Sequence, residues 1–168
     1  TVEVRARQIL YDGRPAMLSV VRDVTERRQA EARLRESEER FRRLFYDTRQ
    51  PLCLMEEGRF SAVNQAALAL LRLERPEQFL GQPPVDFSPP YQPDGRPSAE
   101  KAAEMIRIAC EQGGHEFEWE QVRADGARFP AIIRLTAISE RNQTLLHVVW
   151  HDITVQKRTQ ERAEYLAY

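Results

Sequence analysis

The chain has 168 residues, a net charge of −1 and 30% charged residues, so it lacks the basic excess of a nucleic-acid-binding surface. Its longest apolar runs, such as residues 66–71, are too short to span a bilayer, and no secretory signal is present. Cys53 and Cys110 lack Cys-x-x-Cys spacing, which favours a protein of the reducing cytoplasm over one built on disulfides. A membrane tether elsewhere in a longer protein remains open.

Part of the sequence occurs twice, 129 positions apart (149 against 20). Residues 20–25 read Val-Val-Arg-Asp-Val-Thr, and residues 149–154 read Val-Trp-His-Asp-Ile-Thr. In both copies a β-rich run ends at this motif and a charged, helix-favouring run follows. Residues 1–24 predict two strands joined by a turn over residues 11–15, whose Asp-Gly pair is a strong hairpin signal. The duplication indicates an array of similar units.

A helix is predicted from Thr25, a potential N-cap, because residues 26–46 contain no glycine or proline. A heptad seam runs along it at spacings of four and three: Ala30, Leu34, Ser37, Phe41 and Leu44. We expect this seam to form a parallel coiled coil between two copies. A solvated helix with one face on its own domain is the alternative.

The next segment predicts two strands, a helix, a short helical turn and a second helix, over residues 51–55, 59–63, 64–73, 78–81 and 99–112. Asn64 and Ser98 are potential N-caps of the two helices, and Gly113-Gly114 ends the second. Residues 82–97 contain six prolines, which exclude a long helix or strand. We expect residues 88–98, at the end of this proline-rich segment, to cover any cavity in the domain. Plain rigidification of the chain by the prolines is the alternative.

The remainder predicts three antiparallel strands, over residues 115–122, 129–138 and 145–153. In the first, Phe117 and Trp119 alternate with glutamates, as in a strand with one buried face. Turns are expected at residues 124–127 and 141–143, and Thr154 can cap a helix that continues to Tyr168. The order predicts an α+β fold, a five-stranded antiparallel sheet with helices on one face, flanked by N- and C-terminal linker helices.

Three stretches in this order resemble the PAS domain, a small sensor fold of bacterial signalling proteins. Residues 38–45 resemble its N-terminal helix. The hairpin resembles the F-E-W, R-A-D-G and F-P pattern of the family, with Phe117-Glu118-Trp119-Glu120, Arg123-Ala124-Asp125-Gly126 and Phe129-Pro130-Ala131. The closing D-I-T-x-x-K-R pattern is matched by Asp152-Ile153-Thr154 with Lys157-Arg158.

The resemblance implies four parts: the last two strands of a preceding PAS domain, a linker helix, a PAS sensor domain and the start of an exit linker helix, over residues 1–24, 25–46, 47–153 and 154–168. Residues 160–168 resemble the helix that leads into GGDEF-type diguanylate cyclase domains. We therefore expect a cytoplasmic regulatory module that dimerises and passes a ligand- or redox-dependent change to an output domain in the same protein. The expected output is a diguanylate cyclase, which makes cyclic di-GMP, with a histidine kinase as second choice.

The resemblance also implies that Asp152 and Thr154 tie the sheet to the exit helix. Chemically, Asp152 can accept from backbone N–H groups or from Arg40 or Arg43, and Thr154 can cap the helix. A plain helix cap without a signalling role is the alternative. No nucleophile–base pair and no glycine-rich phosphate loop occurs, so no catalytic residue and no enzyme are predicted in this chain.

PAS domains often hold a ligand between sheet and helices. The candidate pocket residues are Cys53, Asn64, Tyr91, Met105, Ile108, Phe117, Trp119, Ile133 and Trp150. For the cysteine and the tryptophans, plain packing is the alternative. If the interior is completely filled, a ligand-free dimerisation spacer is favoured instead.

The sequence does not name a cofactor. The Asn-Cys-Arg-Phe motif of flavin-binding members is absent, and no histidine lies within residues 98–112, where haem-binding members often carry one. His147 and His151 share one strand face without a convincing third ligand, so no metal site is predicted.

Overall fold

The computed structural model describes residues 1–140 and 142–167, which form two compact units, residues 1–44 and the remainder from Phe45. In the first unit, strands β1 (Val2–Tyr11) and β2 (Arg14–Asp23) form an antiparallel hairpin, and helix α1 (Thr25–Tyr46) begins in this unit. Asp12 and Gly13 have φ values of 49° and 72°, as a two-residue hairpin turn requires. The predicted hairpin is confirmed, with a shorter turn and longer strands than expected.

The second unit contains strands β3 to β7 and helices α2 to α4. The strands are β3 (Leu52–Glu56), β4 (Arg59–Val63), β5 (Gly114–Val122), β6 (Arg128–Glu140) and β7 (Gln143–Asp152), and the helices are α2 (Gln65–Leu71), α3 (Ser98–Gln112) and α4 (Thr154–Leu166). The strands form one antiparallel sheet in the order β4-β3-β7-β6-β5. The predicted α+β fold with a five-stranded sheet is confirmed.

The core lies on one face of this sheet because alternate residues of each strand point to that face. Ile133 and Leu135 of β6 and Val148 and Trp150 of β7 are buried there. They pack in one cluster with residues of α2, of α3 and of the segment between these helices: Leu68, Leu71, Phe79, Phe87, Ala102 and Ala109. β5 is left at an edge of the sheet, next to the proline-rich segment.

Three predicted boundaries of this unit are wrong. Helix α2 ends at Leu71 rather than at residue 73, because Arg72 adopts a left-handed conformation with φ 56°. The short helical turn is Pro76–Gln78 rather than residues 78–81, which suits proline at the start of a helix. Ser98 is the first residue of α3 rather than its cap, and its hydroxyl donates to the carbonyl of Pro89.

Other predicted boundaries shift only slightly. Gly113 ends α3 in a left-handed conformation with φ 84°, while Gly114 already belongs to β5. The predicted turn at Arg141 and the predicted helix end at Tyr168 fall on residues outside the described ones.

Candidate functional site

An apolar cavity of about 40 Å³ lies between the inner face of the sheet and helix α3. Four of the predicted pocket residues line it: Phe117, Trp119, Ile133 and Trp150. Ala102 and Ile106 of α3 close the opposite side. A cavity of this size holds a few water molecules or a ligand of a few non-hydrogen atoms, whereas drug-sized ligands need several hundred Å³.

Gln121 brings an amide group to the wall of this cavity, and its side chain is almost completely buried. With the amide oriented so that both polar atoms are bonded, it donates to the carbonyl of Phe87 (2.6 Å) and accepts from Trp150 Nε1 (3.1 Å). Gln121 was not among the pocket residues predicted from the sequence. The alternation of β5 could have revealed it, because Gln121 continues the inward positions of Phe117 and Trp119.

The indole of Trp119 is also held by a hydrogen bond. Its Nε1 donates to Ser88 Oγ (3.0 Å), which joins β5 to the proline-rich segment. Because both tryptophans have bonded indole N–H groups, they line the cavity in fixed orientations.

The other predicted pocket residues lie away from the cavity wall. Cys53 is fully buried in the core, where burial raises the pKa of its thiol well above the usual value. Met105 is buried with its sulfur 3.2 Å from His115 Nε2, and Ile108 is half-buried. Tyr91 is exposed over 62% of its surface.

Asn64 is completely buried and links three segments of the chain. Its Oδ1 accepts from the N–H groups of Leu52 (3.0 Å) and Ala67 (2.9 Å), which confirms the predicted N-cap of α2. Its Nδ2 donates to the carbonyls of Phe45 (2.9 Å) and Gln50 (2.7 Å). All of its hydrogen-bonding capacity is thus used within the fold.

Asp152, at the end of β7, connects the sheet to α4. Its Oδ1 accepts from both the N–H (2.9 Å) and the hydroxyl of Thr154. Thr154 is therefore not the cap that the sequence predicted: it is the first residue of α4, follows Ile153 at the N-cap position, and donates to Asp152 instead of accepting. A carboxylate near the first N–H groups of a helix is favourable because of the helix dipole.

Within its own unit, Asp152 pairs with Arg123, at 3.2 Å, an arginine that was not considered for this role from the sequence. Arg40 pairs with Glu36 one turn away in α1. Arg123 follows β5 directly, at the start of the turn into β6, and β6 pairs with β7 up to Asp152. The hairpin turn therefore brings its guanidinium to the end of β7.

Arg123 also connects Asp152 to helix α2. Its guanidinium donates to the carbonyl of Leu70 and lies 3.9 Å from the centre of the Phe129 ring. Partial burial acts to raise the pKa of Asp152, but the hydrogen bonds from Thr154 and Arg123 outweigh it, so this pKa lies below its usual value.

The predicted dimer seam lies on α1, where its large apolar side chains are exposed. The exposed fractions are 61% for Leu34, 51% for Phe41 and 68% for Leu44, and Ala30 is also exposed.

Among residues 1–140 and 142–167, no three His, Cys, Asp or Glu side chains are placed to hold a metal ion. Within the same residues, no helix has the length and apolarity that a bilayer crossing requires.

The sequence pattern of the family described as PAS domain matches residues 50–155. The chain belongs to the PAS domain family. No curated protein matches it. Among solved structures, it resembles the PAS domain of an HTR-like protein from Haloarcula marismortui, with 20% identity, a TM-score of 0.62 and coverage of 75% of this chain and 99% of the other.

Two further solved PAS domains resemble this chain. One belongs to a two-component sensor histidine kinase, with 19% identity, a TM-score of 0.55 and coverage of 70% of this chain and 97% of the other. The second, in complex with ethanol, belongs to a transcriptional regulator from Burkholderia thailandensis, with 17% identity, a TM-score of 0.53 and coverage of 67% and 96%. At these identities the likeness shows the fold alone.

Proposed function

We propose that this PAS domain is a cytoplasmic sensory and regulatory module that transmits a change in its core through Asp152 and Thr154 to an output domain of the same protein. The observation that supports this most is the position of Asp152. Its carboxylate is bonded to the start of α4 and, through Arg123, to the end of α2. A change in the packing between α2 and the sheet therefore has a direct connection to the exit helix.

The core change starts, in this proposal, at Trp150. This residue lines the cavity, is bonded to Gln121, and lies two residues before Asp152 on β7. A ligand that displaces the indole shifts the population between two positions of the end of β7, and hence of α4. A redox-dependent change that alters the same packing acts by the same route.

The ligand that suits the cavity is small. A volume of about 40 Å³ admits only a few non-hydrogen atoms, and the lining is apolar apart from the amide of Gln121 and the indole N–H groups. The Burkholderia thailandensis PAS domain in complex with ethanol binds a molecule of this size and polarity. We propose a small, uncharged, weakly polar ligand for this chain, which agrees with the lack of sequence support for haem and flavin.

The proposed output is a diguanylate cyclase that makes cyclic di-GMP, on the basis of residues 160–168, with a histidine kinase as the alternative. The alternative is supported by the PAS domain of a sensor histidine kinase, which resembles this one.

We also propose that residues 1–24 are the last hairpin of a preceding PAS domain. Their strands pair in the same register as β6 and β7, since Val2 pairs with Asp23 as Ala131 pairs with Asp152.

The coupling role is tested by Asp152→Ala in the full-length protein. We expect the variant to stay folded, because the contacts that it removes are only partly buried. We expect the output activity to stop responding to the input signal. Asp86→Ala, an exposed carboxylate of the proline-rich segment, is the control and should keep the response. Normal regulation of Asp152→Ala would contradict the proposed coupling.

A ligand-free dimerisation spacer is the second candidate, and the small cavity favours it. Phe60, Phe79 and Phe87 fill the space beside Trp150, with the first two rings stacked at 4.0 Å. Native mass spectrometry separates the two functions. An added small-molecule mass on the purified chain supports the sensor, and a bare dimer supports the spacer.

A further inference from the structure

A groove of about 360 Å³ runs along the edge strand β5, between the proline-rich segment and the first turns of α4. Its volume falls within the range of small-molecule sites, unlike that of the inner cavity. Trp119 lies in the wall of both, so its side chain separates the groove from the cavity. The groove is therefore distinct from the ligand site proposed above.

Six charged side chains line this groove, three of each sign: Lys101, Arg128, Lys157, Asp94, Glu118 and Glu120. Four of them neutralise each other, since Lys101 pairs with Asp94 at 2.9 Å and Lys157 pairs with Glu118 at 2.6 Å. The structure assigns no ion pair to Arg128 or Glu120 among the residues it describes. The groove thus presents one available cation and one available anion.

These two side chains are neighbours on one face of the β5–β6 hairpin. Glu120 pairs with Pro130, and Arg128 pairs with Val122, two residues further along β5. Such diagonal neighbours lie about 7–8 Å apart, a distance that long side chains can bridge. Arg128 and Glu120 form no ion pair with each other in the described part of the chain, so one small molecule can touch both. Each charge can therefore hold one end of the same ligand.

We propose that this groove binds a small zwitterion of the α-amino acid class, with its carboxylate on Arg128 and its ammonium group on Glu120. A guanidinium suits a carboxylate because its N–H groups match the two oxygens. A carboxylate such as Glu120 accepts hydrogen bonds from an ammonium group. A simple anion or cation satisfies only one of the two charges, so the zwitterion is favoured over both.

Glu120 is held in place before any ligand binds. The amide of Gln92 accepts from the Glu120 N–H (2.8 Å) and donates to its carbonyl (3.3 Å), while Gln92 is almost completely buried. The strand position that carries the anion is therefore fixed. Lys157 belongs to α4, so a ligand in the groove also contacts the exit helix beside its ion pair with Glu118.

The test uses the indole N–H signals of the two tryptophans in ¹⁵N NMR spectra of the whole chain. Trp119 lines both the groove and the cavity, whereas Trp150 lines only the cavity. The twenty α-amino acids are added separately, each up to about 10 mM, a range that detects binding weaker than typical metabolite sites. We expect at least one to shift the Trp119 signal to saturation and to leave that of Trp150 unchanged.

Variants and derivatives then test the two charges. Arg128→Gln and Glu120→Gln should each weaken binding at least about tenfold, because each removes a charge-assisted hydrogen bond. The N-acetyl and the amide derivatives of the bound amino acid should lose affinity to a similar degree. Arg134→Gln is the matched control: it lies on the same strand but pairs with Glu116 outside the groove, and it should bind normally.

Three results would overturn the proposal. The first is that no amino acid shifts the Trp119 signal. The second is that Arg128→Gln and Glu120→Gln bind the amino acid as well as Arg134→Gln does. The third is that the Trp119 and Trp150 signals shift together, which places the ligand in the inner cavity. The last result supports the sensor function without the groove, so the two proposals fail independently.

Discussion

Two polar side chains, Asn64 and Asp152, hold together segments that are distant along the chain. Each contacts several partners, and each lies where a strand or loop passes into a helix. They differ in solvent exposure, because Asn64 is completely buried whereas the side chain of Asp152 is 31% exposed. Their loss therefore has different consequences, on stability in the first case and on coupling in the second.

Asn64→Ala should lower the free energy of unfolding by about 3 kcal/mol. The substitution leaves the N–H groups of Leu52 and Ala67 and the carbonyls of Phe45 and Gln50 without their partner in a buried place. Urea unfolding measures the change. Gln65→Ala, at the exposed neighbouring position, should change stability by less than about 0.5 kcal/mol. Equal effects of the two variants would show that the Asn64 hydrogen bonds contribute little.

Asp152 should make the stability of the domain depend on pH. Its pKa is lowered in the folded state, so its ionised form stabilises the fold above the unfolded pKa of about 3.9, and this contribution is lost as the pH falls through the lower folded value. We expect urea unfolding between about pH 5 and about pH 2 to show a smaller loss of stability for Asp152→Asn than for the natural chain. The same pH dependence in both proteins would contradict this assignment.

At the residue scale, the sequence predicted which types of residue bond to Asp152 but not which individual residues do so. Asp152 was expected to accept from backbone N–H groups or from an arginine such as Arg40 or Arg43, and it accepts from the N–H of Thr154 and from Arg123. The arginine is Arg123 because the β5–β6 turn, not the order of the motifs, determines which guanidinium reaches the end of β7. Gln121 was missed because the alternation of β5 marks its position as inward, whereas its polar side chain is not a residue type expected in a core.

The edge strand β5 shows how one side chain can protect a secondary-structure element. Exposed edges offer free N–H and C=O groups to other chains. At Glu120 both groups are bonded to the amide of Gln92, which also donates to Ser98 Oγ at the start of α3 (2.9 Å). The proline-rich segment is thereby fixed both to the sheet edge and to α3.

Gln92→Ala should expose the edge of β5 locally. Without the amide, the Glu120 N–H loses its acceptor, and we expect its hydrogen exchange with solvent to accelerate about tenfold or more. NMR-detected exchange measures this at single amides. Gln112→Ala, at the exposed end of α3, is the control and should leave the Glu120 amide unchanged. Unchanged exchange in Gln92→Ala would mean that other contacts protect this edge.

At the element scale, periodicity predicted the strands and helices well, but capping was predicted less well. Ser98 and Thr154 both look like N-caps in the sequence, yet each is the first residue of its helix. The cap position depends on the backbone conformation of the preceding residue, which composition does not determine. Asn64 was predicted correctly because only Gln65 separates it from the apolar run of α2.

One motif, a β-hairpin that ends in an aspartate and continues into a helix, occurs twice in the chain, as the sequence repeat predicted. In both copies an aspartate accepts from the N–H and the hydroxyl of the threonine two residues later, at Asp23 and at Asp152. The alternation of the strands was sufficient to predict the five-stranded sheet. The cavity volume could not be predicted, because it depends on how closely the rings of Phe60 and Phe79 pack beside Trp150.

The seam on α1 predicts a dimer that a single charge should weaken. Leu34 is 61% exposed and belongs to the heptad seam, so Leu34→Glu places a carboxylate in the expected contact between two helices. We expect the dimer dissociation constant, measured by sedimentation equilibrium, to rise about tenfold or more, since burial of a leucine side chain contributes roughly 2 kcal/mol. Gln29→Glu adds the same charge to an exposed position off the seam and should leave association unchanged. A natural chain that is monomeric at all concentrations, or equal association of both variants, would exclude a coiled coil along this seam.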